Sequence, residues 1–370
     1  MLMGEVDMSR QSSAGSMVIY APNVHVGGGF VLLVSLLNRW SSVGRTILLA
    51  FLDQRIKNKI QVPSGVEVYW VRPTIRGRML AQLELRKRSF KAEKILCFHG
   101  IPPIFPVHSE VIVFLQNKLH FQDLGKEGYK LKVRLRIWVE KLLFRFFSGR
   151  VDRYIVQTPS MRDEIINWCL RRGVTSKVLV CPFVDVERIF GSKVSCCKQW
   201  DYLYVADGLP HKNHDKLFDA WKILAKDGLF PILALTLDET DFKMMQEIER
   251  TNKGFNVKII NLGRLAYEEM GQVYRSSSAL IYPSLAESFG LPLLEAKANG
   301  LSIVASELDY VRDVCKPVET FDPNSAMSIA RAVKRHLGAG SDLVEPKDAS
   351  DFWLTVVDDI GGFKYEVQQR

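Results

Sequence analysis

The strongest constraint on the fold is an alternation, present in both halves of the chain, between short apolar segments and longer segments with helical periodicity. In the first half, an apolar segment at 17–21 precedes a glycine-rich turn and a helical pattern at 30–40. Further strands are predicted at 46–52, 67–71, 95–98, 111–115 and 153–157. Alternation of this kind is typical of a mainly parallel sheet with helices on both faces.

The second half repeats the pattern after a polar, turn-rich stretch at 182–195. Its predicted strands lie at 200–205, 232–237, 258–262, 279–282 and 302–306, and its predicted helices at 216–226, 268–276 and 291–299. A chain of 370 residues is long enough for two domains of ordinary size. The sequence therefore predicts an α/β fold of two Rossmann-like, doubly wound domains facing a central cleft, where ligands bind beyond the carboxyl ends of the strands.

Composition excludes several classes of protein. No apolar run reaches the roughly 18 residues that a membrane-spanning helix needs. Residues 1–16 lack the apolar core of a signal peptide, so we expect a disordered start and no export. The six cysteines include no C-x2-C pair and do not cluster with the histidines. We therefore expect no metal site and a reducing, cytoplasmic environment.

Charge is unevenly distributed along the chain. Residues 1–180 contain 28 basic and 13 acidic residues, whereas residues 181–370 contain 22 basic and 28 acidic residues. A basic first half indicates an anionic partner for that half. Nucleic acid, anionic lipid and a phosphorylated substrate all meet this requirement, and composition does not choose among them.

The segment at 281–306 carries the most specific chemical pattern. A predicted strand leads to a loop that contains Glu287, and Pro292 suits the first turn of a helix that contains Glu295. The backbone N–H groups at that helix start form a ready anion site, and they belong to Phe289, Gly290 and Leu291. Two carboxylates around such a site suit a ligand with phosphate and sugar hydroxyls. Equally, both acids would favour the positive end of the helix without any ligand.

This pattern resembles the signature of the family-4 retaining glycosyltransferases, which have the GT-B fold of two Rossmann-like domains with the active site between them. The matching residues are Glu287 and Glu295, the Phe-Gly-Leu-Pro run between them, and Gly300-Leu301 followed by a strand. The resemblance implies that Glu295 holds the donor ribose, that Glu287 contacts the donor sugar, and that the amides of 289–291 meet the sugar and diphosphate. It also implies a nucleotide-diphosphate sugar as substrate, with no cofactor and no metal ion.

The resemblance extends over residues 17–337, and it implies the boundaries of the domains. We expect an acceptor domain at 17–185, a nucleotide-sugar domain at 196–345, and a C-terminal helix at 346–370 that returns to the first domain.

A second segment, at 202–214, matches the family in part. The family has an arginine and, five residues later, a lysine, and both neutralise the leaving diphosphate. The lysine is present as Lys212, but Asp207 occupies the arginine position, and a carboxylate does not stabilise phosphate charge. His211 is a candidate replacement, and it is equally compatible with a polar turn residue before a helix. The same variant resembles enzymes of bacterial surface-polysaccharide assembly, so the departure alone does not indicate an inactive protein.

Two further loops resemble donor-binding segments of the family. The turn Gly27-Gly28-Gly29 allows the backbone to approach a phosphate at the following helix start, and it differs from the dinucleotide fingerprint G-x-G-x-x-G. The loop at 261–264 matches the one near the donor base, where Arg264 either adds positive charge or is a solvated loop arginine.

Polar residues that follow two predicted strands of the first half are expected at the rim of the cleft, where an acceptor sugar would bind. They are His99, Asn117 and His120. For the two histidines, a structural hydrogen-bonding role is the stronger expectation.

Residues 126–150 combine eight basic residues with an apolar stripe at steps of four, three, four and four. The stripe consists of Leu131, Leu135, Trp138, Leu142 and Phe146. We expect a domain helix that buries this stripe and leaves a solvated basic back. A helix that rests on anionic lipid is the alternative, to which the basic stretch at 72–94 would contribute.

The sequence hypothesis is a retaining glycosyltransferase of the hexosyltransferase class. It would move a sugar from a nucleotide-diphosphate sugar to a lipid-linked saccharide acceptor in surface polysaccharide synthesis. We expect a cytoplasmic protein, with peripheral contact to an anionic membrane at the inner face of the plasma membrane as an option, and no nucleic-acid partner. Two alternatives stay open: another GT-B sugar-nucleotide enzyme, such as an epimerase or a phosphorylase, and a non-catalytic GT-B-like binding protein.

Overall fold

The computed structural model describes residues 16–39, 46–62, 64–118, 121, 129, 131–184 and 197–339. Of the disordered start expected at 1–16, residues 1–15 lie outside these residues, and Ser16 is the first residue of a strand. The expected C-terminal helix at 346–370 and His120 also lie outside the described residues. Within the described ranges the chain forms two parallel sheets with helical crossovers, which confirms the predicted α/β fold of two Rossmann-like domains.

The first sheet has seven strands in the order β3-β2-β1-β4-β5-β6-β7. They are β1 (Ser16–Ala21), β2 (Thr46–Asp53), β3 (Glu67–Val71), β4 (Lys94–Cys97), β5 (Glu110–Phe114), β6 (Arg153–Val156) and β7 (Lys177–Val180). The helices of this domain are α1 (Gly27–Asn38), α2 (Ile75–Arg88), α3 (Leu131–Phe147) and α4 (Pro159–Leu170). Strand β7, at the edge, was absent from the sequence prediction.

The second sheet has six strands in the order β10-β9-β8-β11-β12-β13. They are β8 (Trp200–Tyr204), β9 (Ile232–Leu235), β10 (Lys258–Asn261), β11 (Ser277–Tyr282), β12 (Ser302–Ser306) and β13 (Glu319–Phe321). The helices are α5 (His214–Lys226), α6 (Phe242–Phe255), α7 (Tyr267–Arg275), α8 (Leu291–Ala298), α9 (Asp309–Arg312) and α10 (Ala326–His336).

The core of the first domain lies in two layers because successive strand residues face opposite sides of the sheet. Tyr20 packs on one side in a layer that also contains Phe144 of α3, while the adjacent Ile19 packs on the other side with Leu33 of α1. Helices α2, α3 and α4 therefore cover one face of the sheet, and α1 covers the other. All these side chains are fully buried, so the sheet is rigid up to its carboxyl edge, the edge at which doubly wound sheets usually bind ligands.

The structure contradicts the expectation that α3 buries its apolar stripe. Four of the five stripe residues are largely exposed: Leu131 by 79%, Leu135 by 60%, Trp138 by 53% and Phe146 by 73%. Phe144 is the residue of α3 that is fully buried, and it packs in the core layer beneath the helix. In the described ranges, no helix is both long enough and apolar enough to cross a bilayer.

Candidate active site between the two sheets

The centre of the candidate site is a buried ion pair. Strands β8 and β11 pair directly, so the loops that follow them lie side by side at the carboxyl edge of the second sheet. The first loop carries Lys212 and the second carries Glu287, and the distance from Lys212 Nζ to Glu287 Oε1 is 2.7 Å. Their side chains are only 15% and 12% exposed. The two residues predicted to be catalytic are thus in direct contact, although 75 positions separate them.

Glu287 is ionised in this environment. Burial favours the neutral carboxyl group, but the ammonium of Lys212 outweighs it, and the pKa of Glu287 lies below its usual value. The hydroxyl of Tyr282 donates to the same carboxylate oxygen at 3.1 Å. Burial raises the pKa of Tyr282 well above its usual value, so this hydroxyl stays protonated and acts as a donor.

The backbone around Lys212 is clamped to neighbouring strands by Asn213, which adopts a left-handed conformation with φ 63°. Its Nδ2 donates to the carbonyl oxygens of Pro283 at 3.0 Å and Pro323 at 2.7 Å. The hydroxyl of the fully buried Tyr204 donates to the carbonyl oxygen of Lys212 at 2.6 Å. These bonds tie together the loops after β8, β11 and β13, so the ion pair is held by rigid elements.

Two helix N-termini meet beside the ion pair. In the described part of the chain, neither α1 nor α8 has a side-chain cap at its N-terminus, so their first N–H groups are available to a ligand. A Cβ atom on Gly28 would lie 3.0 Å from Leu291 Cδ1, which shows how closely the two helix starts face each other. A Cβ atom on Gly29 would lie 2.7 Å from Gln116 Oε1, so this glycine allows the close approach of Gln116. The predicted glycine turn and the 289–291 segment thus line one space.

Glu295 is the second carboxylate of the motif, and it lies one turn inside α8. The hydroxyl of Tyr274, at the end of α7, donates to Glu295 Oε2 at 2.6 Å. Tyr274 is almost fully buried, so it fixes the orientation of the carboxylate from beneath.

His211 is held as a neutral imidazole. It forms a hydrogen bond of 2.9 Å between Nδ1 and the hydroxyl of Tyr129, and the two rings stack. Burial and then the nearby Lys212 ammonium lower the pKa of His211. The side chain therefore acts as a hydrogen-bond partner at neutral pH and does not supply the positive charge of the family arginine. Asp207, at that arginine position, is exposed and accepts a bond from the N–H of Leu209 at 3.2 Å.

Two other predicted donor and acceptor residues lie at the cleft or near it. The N–H of Lys118 donates to Ser288 Oγ at 3.3 Å, which places the preceding Asn117 beside the loop that carries Glu287. Arg264 lies in the loop after β10, which is two strands away from β8 in the sheet. Its side chain is 64% exposed, and its guanidinium nitrogen lies 3.9 Å from a carboxylate oxygen of Asp238.

His99 follows β4 and packs edge-on against Tyr20, with ring centroids 5.4 Å apart. This is a packing contact between rings, so the expected hydrogen-bonding role of His99 stays a prediction. The other acceptor-side histidine, His120, lies outside the described residues.

Sequence reasoning missed the residues that orient the acids and the histidine. Tyr282, Tyr274 and Tyr129 each contact one of the predicted site residues through a hydroxyl. Tyr282 lies at the end of a predicted strand, and Tyr274 in a predicted helix, but each position is equally typical of a core aromatic. No local pattern indicates the hydroxyl contact.

Comparison with known proteins identifies the family of the second domain. Residues 162–345 match the family model described as glycosyl transferases group 1. The O-antigen chain mannosyltransferase B of Escherichia coli is 30% identical over 223 residues, which are 56% of this chain and 57% of that protein. The serotype-specific mannosyltransferase WbdA of Escherichia coli is 25% identical over 156 residues, 42% of this chain and 19% of that protein. The matched part of the chain thus spans from about a fifth to just over half of the length of these curated relatives.

Solved structures share the fold. A sucrose-phosphate synthase from Thermosynechococcus elongatus has a TM-score of 0.65 and 15% identity, with 88% of this chain and 90% of that chain covered. Anabaena HepE in complex with UDP and glucose has a TM-score of 0.60 and 14% identity, with 87% and 90% covered. The chain therefore contains, at residues 162–345, a domain of the glycosyl transferases group 1 family.

Proposed function

We propose that this protein is a glycosyltransferase that moves a hexose from a nucleotide-diphosphate sugar to a saccharide acceptor. The observation that carries the proposal is the Lys212–Glu287 ion pair beside the uncapped N-termini of α1 and α8. Two features of the comparisons support it. The curated relatives are named mannosyltransferases, and HepE was solved with UDP and glucose.

The donor diphosphate would lie between the two helix N-termini, whose N–H groups and dipoles favour an anion. Lys212 has three N–H donors and gives one to Glu287, so the others are available to the diphosphate. As the bond from the anomeric carbon to the diphosphate breaks, negative charge grows on the leaving oxygen. A cation that is already in place stabilises this charge without reorganisation.

The two carboxylates would hold the rest of the donor. Glu287 is ionised and keeps free acceptor positions, so it can accept bonds from sugar hydroxyls while it orients Lys212. Glu295, oriented by Tyr274, would accept bonds from the ribose hydroxyls. His211 would donate to a phosphate oxygen from its neutral ring.

We propose that transfer proceeds with retention and without a metal ion, as the resemblance to family-4 glycosyltransferases implies. The acceptor oxygen forms the new bond to the anomeric carbon, and its proton passes to the departing diphosphate. The protein then acts by positioning and by charge stabilisation. The O-antigen names of the relatives favour a lipid-linked saccharide as acceptor.

The test is a panel of nucleoside-diphosphate hexoses, each with and without saccharide acceptors, in which released nucleoside diphosphate and glycosylated product are both measured. Lys212→Ala should lower turnover by about a hundredfold or more, whereas the matched change Lys216→Ala, at an exposed lysine of the next helix, should not. Wild-type turnover in Lys212→Ala would contradict the mechanism. An altered sugar nucleotide without nucleoside diphosphate release would indicate an epimerase, and a strict need for inorganic phosphate would indicate a phosphorylase.

A further inference from the structure

Helix α3 has two apolar stripes, and the domain uses only one of them. The inner stripe includes Val133, Ile137 and Phe144, of which Phe144 is fully buried in the core. The outer stripe is the exposed one described above, from Leu131 to Phe146, and it is roughly 22 Å long at the rise of an α-helix. Proteins seldom leave a long continuous apolar surface in water unless it binds something.

Basic side chains border the outer stripe on both sides. At about 100° per residue, these side chains project roughly 60–120° from the centre of the stripe. They are Arg134 and Arg145 on one side and Lys132 and Arg136 on the other, and all four are exposed. Glu140 is the acidic residue of α3, and its side chain is only 16% exposed. Its Oε1 lies 3.8 Å from Nε of Arg136. The outward surface of α3 is therefore apolar along its middle and positive along both edges.

Helix α2 extends this surface. Its Ala81 and Leu85 belong to the same core layer as Phe144, so α2 and α3 cover the same face of the sheet. Gln82 of α2 accepts a hydrogen bond of 3.0 Å from the N–H of Ile104. Arg150, which follows α3, donates to the carbonyl oxygen of the preceding residue, Pro103, at 3.2 Å, so both helices are tied to the same segment. The outward side of α2 exposes apolar and basic residues, which are Arg76, Leu80, Leu83 and Lys87.

We infer that this α2–α3 face, defined by the exposed residues of the two helices named above, is a docking surface for an anionic lipid bilayer. The apolar stripe suits the boundary between headgroups and acyl chains, and Trp138 suits that boundary in particular. The basic side chains on both edges reach outward to lipid phosphates from stems that lie along the apolar surface. Charge on both sides fits a helix that lies in the plane of a surface.

Docking of this kind is reversible and sensitive to salt, because the attraction of surface charges is screened beyond a Debye length. It requires neither donor nor acceptor. A failure of this inference is therefore distinguishable from a failure of the proposed glycosyl transfer.

The experiment is co-sedimentation of the full chain with phosphatidylcholine vesicles that do or do not contain phosphatidylglycerol, at low and at high salt. We expect wild type to bind the anionic vesicles at low salt and to be released at high salt. The charge variant changes four residues to Gln: Lys132, Arg134, Arg136 and Arg145. It should lower the partition coefficient onto anionic vesicles at low salt about tenfold or more. A stripe variant, Leu135→Ser with Trp138→Ser, should lower it by a similar factor.

Matched controls lie in the second domain. The control for charge changes four exposed residues to Gln, and they are Lys243, Arg250, Lys253 and Lys258. The control for the stripe is Phe242→Ser with Leu337→Ser, at side chains that are 74% and 40% exposed. Both controls should bind vesicles like wild type. Lipids brominated in the acyl chain should quench the fluorescence of Trp138, measured as the difference between wild type and Trp138→Phe.

Four results would overturn the inference. Wild type could ignore anionic vesicles at low salt, or the controls could lose binding as much as the variants. Light scattering could show a dimer that the stripe variant converts to a monomer with vesicle binding unchanged, which would assign the face to a second copy of the chain. Lastly, amide hydrogen exchange could show that the stripe variant exposes residues 340–370, which would assign the face to the end of this chain.

Discussion

The Lys212–Glu287 ion pair leads to a quantitative prediction that needs no substrate. Glu287→Gln keeps the shape of the side chain but leaves the Lys212 ammonium, which is 15% exposed, without its carboxylate. At an effective dielectric constant of about 20, two unit charges 2.7 Å apart attract by about 6 kcal/mol, and desolvation offsets most of this. Removing one partner of a buried pair costs about 3–5 kcal/mol. Because both side chains keep some exposure, we expect a loss of about 3 kcal/mol in the free energy of unfolding.

The matched variant is Lys212→Met, which removes the cation and keeps the aliphatic chain. Glu287 then retains the bond from Tyr282 but loses its counter-charge, so we expect a loss of about 2–3 kcal/mol. In the double variant neither charge is left without a partner, so its loss should be smaller than the sum of the single losses by about 2–3 kcal/mol. Urea unfolding of the four proteins at pH 7, followed by circular dichroism, gives this coupling energy directly.

The coupling should depend on pH in a definite direction. The pKa of Glu287 is lowered in the folded protein, so the pair stabilises the fold above the pKa of the unfolded carboxyl, about 4.3. Its contribution is lost as the pH falls through the lower folded-state value. We therefore expect a constant coupling from about pH 6 to pH 8 and a decline below about pH 4. A coupling energy below about 0.5 kcal/mol at pH 7, the value of an exposed pair, would refute this reasoning.

Two further predictions concern the donor site. Glu295→Gln should weaken nucleotide binding by about 1.5–3 kcal/mol, the range for a hydrogen bond to a charged group, and calorimetry that finds unchanged affinity would reject the ribose contact. Gly290→Ala and Gly300→Ala both force alanine into a left-handed conformation, at φ 76° and 72°, and each should cost about 1–2 kcal/mol in urea unfolding. Only Gly290→Ala should also weaken nucleotide binding, because Gly290 precedes α8 at the cleft and its new Cβ would lie 3.0 Å from Leu293.

Most of the two sheets could be predicted from sequence because buried parallel strands are short, nearly continuous apolar runs. β11 is the clearest example, since almost every residue of Ser277–Tyr282 is buried. The strands that were missed lie at the edges of the sheets. In β7, Lys177–Val180, every residue keeps some exposure, and β13, Glu319–Phe321, has only three residues. An edge strand has a neighbour on one side only, so it needs fewer apolar residues and its pattern is weaker.

The residues of the candidate site could be named from sequence, but their contacts could not. The ion pair depends on β8 and β11 being neighbours, a property of strand order that no local pattern contains. The state of His211 depends on its burial against Tyr129 and on the charge of Lys212, which is likewise a consequence of the assembled cleft. Motifs therefore identified which groups gather at the cleft, and the tertiary structure determined how each is charged and oriented.

The orientation of α3 was predicted wrongly for a related reason. Helical periodicity shows that apolar residues share a face, but it does not show which way that face points. Here the sequence contains two such faces, and the one with Phe144 is sufficient to cover the sheet. Basic residues, including Lys132 and Arg134, lie between the two faces, so the helix is not uniformly apolar as a helix buried on all sides would be. A helix that only packs on a protein core needs one apolar face. Helix α3 has a second, exposed apolar stripe with basic residues on both sides, which is the pattern expected of a helix that lies between a protein core and an anionic membrane surface.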